Sequence, residues 1–130
     1  KVRETESGHI QEFDDTPGKE RIHTYHRSGS FEEYQPDGSV VRKVIGKNYE
    51  LIYGDDFVNI KGSSNVTVDG DCNLFVKGNC TSKVTGNYAH TVQGNVTWNI
   101  NGNFTTNVSG SYSAMSGGGM TYNAPTINLN

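Results

Sequence analysis

Few side chains in the repeated part of this sequence are able to do acid–base chemistry. They are Glu50, the pair Asp55 and Asp56, and the pair Asp69 and Asp71. General acid–base catalysis needs two such groups converging on one substrate, and these fall at different levels of the repeat described below, as solvated corners. Calcium-binding β-helices repeat an acid in every nonapeptide; here the acids are sporadic and the period is eight. His90 is the one imidazole in the repeat. Three copies of it around an axis would bind a metal or an anion, or simply line a water-filled layer, and we expect the latter. Cys72 and Cys80 are the only thiols, too few for a disulfide framework or a zinc site. They are expected to be free, packed as small apolar groups. No catalytic residue, cofactor or metal ligand is assigned, and the chain is not expected to be an enzyme.

The elements that would carry these residues follow one rule. Gly46, Gly54, Gly62, Gly70, Gly78, Gly86, Gly94, Gly102 and Gly110 sit eight apart, and the frame extends to Gly38 and Gly118. Two residues before the glycines stand Val44, Ile52, Ile60, Val68, Val76, Val84, Val92, Ile100 and Val108, and Asn often follows the glycine. A β-branched residue favours extended backbone. The glycine is read as a corner exploiting φ > 0. Side chains alternate along a strand, which puts the Val/Ile row on one side with Val58, Val66, Cys72, Leu74, Cys80, Tyr88, His90, Val96, Trp98, Phe104 and Tyr112. That side is expected to be the interior.

Three corners close a triangular prism. Pattern at eight residues, with none at three octads, favours three equivalent chains wound together over one chain winding alone. Composition agrees: hydrophobic residues are only 32% and mean hydropathy is −0.64, so β-formers are plentiful but a private core is not. Strands stacked ~4.8 Å apart would make a stiff rod on the order of 50 Å long. The expected fold is all-β: an antiparallel meander collar over 1–37, an intertwined octad shaft over 38–118, and a blunt tip over 119–130.

Within the first segment, turn signals at Asp15-Thr16-Pro17-Gly18, Arg27-Ser28-Gly29 and Gln35-Pro36-Asp37-Gly38 separate runs at His9–Phe13, Arg21–His26, Phe31–Gln35 and Val40–Ile45. Ile45, Tyr49, Leu51, Tyr53 and Phe57 are apolar on the opposite parity, and a meander lying against the shaft would cover them. At the other end Pro125 is read as shifting the parity, turning Ile127 and Leu129 inward. Met120, Tyr122, Ile127 and Leu129 would then form a partly apolar face for a partner.

Charge is distributed unevenly. Net charge is −3, which leaves nothing to neutralise phosphates and argues against nucleic acid as a partner. Residues 1–62 hold 21 of the 25 charged side chains, and none follows Lys83. Since charge is costly in lipid, a neutral distal shaft suits passage through a membrane. No apolar run approaches the ~20 residues of a membrane-spanning helix. With no initiator Met, the sequence reads as a piece of a longer protein.

The blocks Glu6-Ser7-Gly8-His9-Ile10, Phe13-Asp14-Asp15-Thr16-Pro17-Gly18-Lys19-Glu20-Arg21-Ile22, His26-Arg27-Ser28-Gly29-Ser30 and Pro36-Asp37-Gly38 resemble the start of the C-terminal part of central spike proteins in contractile injection machines. These are the T4-type phage baseplate hub (tail lysozyme) proteins and the related VgrG spikes of type VI secretion. The octads that follow resemble the β-helix needle of the T4-type proteins. The resemblance implies a homotrimeric cell-puncturing needle in the virion baseplate. It would join the tail hub at its N-terminal end, carry a PAAR-type tip protein at its C-terminal end, and touch the host outer membrane in passing. The lysozyme and OB-fold parts of that family have no counterpart here. Two alternatives stay open: a β-helical fragment of a trimeric glycan-binding or depolymerising tail protein, and a single-chain β-solenoid binding module.

Overall fold

The computed structural model describes residues 1–128 and divides the chain into two units, Lys1–Asp71 and Cys72–Asn130. The first unit opens with five antiparallel strands: β1 (Val2–Glu4), β2 (Ile10–Asp14), β3 (Arg21–Tyr25), β4 (Phe31–Tyr34) and β5 (Val40–Lys43). They lie in one sheet in chain order. Four of them match the alternating runs in the sequence. The fifth, β1, is three residues long and pairs Val2 with Glu12 and Glu4 with Ile10. The sheet extends to Lys43, since β5 pairs with β4 from Val40↔Tyr34 to Lys43↔Phe31.

The connections repeat one device. Gly8, Gly29 and Gly38 each donate their N–H to the carbonyl three residues earlier (Thr5, His26 and Gln35). Each has φ between +84° and +94°. This is the three-residue hairpin loop ending in a left-handed glycine. The β2–β3 connection differs: Pro17 and Gly18, the latter at φ +77°, form the centre of a Thr16–Lys19 turn closed by Lys19 N–H on Thr16 O at 2.8 Å. Pro before a positive-φ Gly is the type II pattern.

Beyond the sheet the backbone is extended and bends every eight residues. The bends begin at 45, 53, 61, 69, 77, 85, 93, 101, 109, 117 and 125. Ten of them place the frame glycine second; at the eleventh, Pro125 takes the bend on the same spacing. Within either unit, no main-chain N–H between residues 46 and 128 meets a main-chain carbonyl. None of the described residues is buried, and they form no hydrophobic core. The accessible surface, 13553 Å², is about twice the ~6,800 Å² of a folded monomer of this mass.

Candidate functional site

The bends sort the apolar side chains. The nine Val and Ile two residues before each glycine are half exposed, between 39% for Val44 and 55% for Ile60. Of those two or four residues after a glycine, Tyr88, Trp98, Phe104 and Tyr112 stand further out, at 70–75%, while Val96 at 53% does not. Ring pairs follow the alternation. Tyr88 and His90, two apart on one side of a strand, stack with centroids 6.5 Å apart. Trp98 and Phe104 meet across the bend at 101–102 with centroids 6.3 Å apart.

The corner glycines correct one expectation. None from Gly46 to Gly119 has a positive φ. A Cβ added at any of them would meet nothing within 4 Å. Neither backbone strain nor crowding within the chain therefore accounts for glycine at this position.

Tyr49, Leu51, Tyr53 and Phe57 are 74–100% exposed, so the chain's own sheet leaves them open. Ile45 alone of that set touches the sheet, its Cγ1 3.4 Å from where Gly29 would carry a Cβ and its N–H on Ser30 Oγ at 3.0 Å. Cys72 and Cys80 are free and exposed. Asp55, Asp56, Asp69, Asp71 and Glu50 are exposed and make no ion pair among the described residues. No group of three or more metal-ligating side chains comes together among those residues. At the tip, Met120, Tyr122 and Ile127 are 50–69% exposed, and Ser116 Oγ contacts Gly119 O and Gly118 N. Leu129, the fourth tip residue, lies outside the described residues.

The sheet brings together residues whose association depends on register. On one face Arg21 bridges Glu12 at 2.7 Å and Glu33 at 3.9 Å. His23 Nδ1 lies 2.9 Å from the same Glu33 carboxylate, at ion-pair distance but out of line for a hydrogen bond. On the opposite face, Phe13, Ile22, Tyr34 and Val40 stand directly opposite one another across β2 to β5, all 43–54% exposed. The next row on that face reads Arg3, Gln11, Thr24, Glu32, Arg42. The Glu32 carboxylate, two residues away on the same strand, pushes the Tyr34 phenol above its ordinary pKa. Continuing β5 by alternation from Val40 and Arg42 leads to Val44, the first of the Val/Ile row. Arg42 Nη2 donates to Asn48 Oδ1 at 3.0 Å across the first bend, again on this parity.

Two carboxylates organise turns. Asp14 accepts the Thr16 hydroxyl at 2.6 Å and the Thr16 N–H at 3.0 Å, which hold it below the usual carboxylate range. Asp37 is lowered in the same way by the Ser39 N–H at 2.9 Å.

No protein-family model matches the chain. Protein Gp5 of Vibrio phage KVP40 is 64% identical to it over 52 residues, 40% of this chain and 12% of that protein. The pre-baseplate central spike protein Gp5 of Enterobacteria phage T4 is 52% identical over 52 residues, 40% of this chain and 9% of that protein. The matched stretch is thus a small part of either relative's length. Over that stretch the chain is a homologue of the phage Gp5 proteins, in keeping with the spike resemblance of its sequence motifs.

Proposed function

We propose that this chain is the shaft of a phage baseplate central spike, in which three copies wind into a triangular β-prism that pierces the host outer membrane without catalysis. One observation carries the reading: from 46 to 128 an extended main chain, bent every eight residues, has no main-chain partner of its own. Main-chain polar groups in ordered β structure are paired, so the partners are other copies. The surplus of roughly 6,800 Å² over a compact monomer is on the scale of large obligate interfaces. The corner glycines support it too, since close approach of another chain would explain a residue that nothing within the chain requires.

The apolar row Phe13–Ile22–Tyr34–Val40 shares its parity with the Val/Ile row, so the three sheets turn that face to the axis and form the wall of the base. The charged Glu12–Arg21–His23–Glu33 face then meets water. The N-terminal end joins the tail hub. The C-terminal end, with Met120, Tyr122, Ile127 and Leu129, carries a PAAR-type cap. The stretch after Lys83, free of charge, enters the membrane first. A single-chain solenoid would bond to itself every third octad, and the chain's unpaired backbone weighs against it.

Light scattering on a sizing column tests this directly. The expected mass is three times 14.2 kDa, about 43 kDa, surviving SDS at room temperature. A mass of one chain overturns it.

A further inference from the structure

We infer that the sheet holds a binding site for a phosphate-type oxyanion, in a cleft of about 600 Å³ on the face that carries Arg3 and Arg42. The cleft lies at the end of the sheet nearest the first bend, and its wall includes Arg3, His9, His26, Glu32 and Arg42. Neither arginine has a carboxylate within ion-pair distance among the described residues. Glu32 stands opposite Arg42 in the β4–β5 register without forming an ion pair with it, while Arg42 Nη2 donates to Asn48 Oδ1. The sheet has separated its charges. On the other face Arg21 pairs with Glu12 and Glu33, while in the cleft Arg3, Arg42 and Lys43 outnumber the one carboxylate, Glu32.

The two histidines set what the cleft can bind. Their rings lie 4.4 Å apart, centroid to centroid. His9 Nδ1 accepts the Arg27 N–H at 3.4 Å and His26 Nδ1 accepts the Ser28 N–H at 3.2 Å. An imidazole whose Nδ1 accepts carries its proton on Nε2, so both present an N–H donor where a metal would need a lone pair. Two guanidinium forks and two imidazole N–H groups outnumber the single carboxylate of the wall, Glu32, and suit a tetrahedral oxyanion. In the three-chain arrangement proposed above, the three clefts face one axis, but the site belongs to each chain and does not need that arrangement.

The full chain is titrated with inorganic phosphate by calorimetry, and separately sedimented with phosphatidylglycerol/phosphatidylcholine vesicles. Saturable phosphate heat, weakened about tenfold or more in R3Q/R42Q and unchanged in R21Q on the opposite face, supports the site with a free ion as its ligand. Vesicle binding lost in R3Q/R42Q and kept in R21Q supports it with a lipid headgroup instead, and overturns the axis-facing arrangement of that face. If R3Q/R42Q misfolds by circular dichroism, phosphorus NMR of the unaltered chain replaces it: broadening reversed by sulfate supports the site, and broadening that sulfate leaves alone overturns it. No binding in either arm, or equal binding by the arginine variants, also overturns it. The mass from light scattering is read on the same samples, so a trimer that binds no phosphate defeats this inference alone.

Discussion

Gly29 and Ile45 meet at the junction between sheet and repeat: the position a Gly29 Cβ would take lies 3.4 Å from Ile45 Cγ1 and 3.7 Å from Cδ1. Gly29 also holds φ +94°. Backbone and space both select glycine there, in contrast to every octad glycine from Gly46 onward.

G29A is therefore expected to destabilise the sheet by about 1–2 kcal/mol, from left-handed strain plus displacement of Ile45. G86A costs nothing within one chain, because its φ is not positive and its surroundings are open. Its expected effect is on assembly: lower SDS resistance with the sheet's own melting unchanged. Sheet melting of G29A equal to that of the parent chain would contradict the first half, and full SDS resistance of G86A the second.

Parity within an octad is tested by charge. V92D and I100D place a carboxylate on the Val/Ile side and are expected to abolish the three-chain mass, since a buried unpaired charge is not tolerated. T97D, on the other side of the same strand, is expected to leave it intact. Equal behaviour of the three variants would refute the assignment of an inner side.

Thiol reactivity provides a second view of that side. Cys72 and Cys80 are exposed in the single chain and sit at the same place in successive octads. In the assembled shaft both are expected to resist an aromatic disulfide reagent, with two thiols per chain reacting after guanidinium unfolding. Immediate reaction of both in the assembled protein would place them outside.

Acid should weaken the sheet through its turns. Asp14 and Asp37 have carboxyl groups lowered by Thr16 and by Ser39. For a depressed carboxylate, the stabilisation is complete above the unfolded pKa of ~3.9 and disappears as pH falls through the lower folded value. The sheet's melting temperature is expected to drop below about pH 4, and D14A and D37A to flatten that dependence. Identical pH profiles for variants and parent would rule out these turns as its source.

Much of this was legible in the residues. The alternation in β2 to β5, Pro17-Gly18 and Asp37-Gly38 each dictate local geometry, and the eight-residue frame reappears as bends at the same spacing. Strand β1 escaped because three residues carry no periodicity and only pairing with β2 defines it. The Arg21–Glu12–Glu33–His23 group and the His9–His26 contact depend on register between strands, which no single segment encodes. One local rule misled: glycine at the octad corners reads as φ > 0, yet none from Gly46 to Gly119 has it.

The difference between the two kinds of backbone sets an order of events. Hairpins β1 to β5 join neighbours in sequence, so their contacts close over short loops and form fast, at a rate independent of protein concentration. On the three-chain reading proposed above, the octads have no such first-order route, because each main-chain group would wait for a strand from another copy. Refolding should show an early unimolecular phase from the sheet and a later one that accelerates with concentration. On that reading the sheet would bring the three copies into register before the shaft zips from Val44 towards the tip.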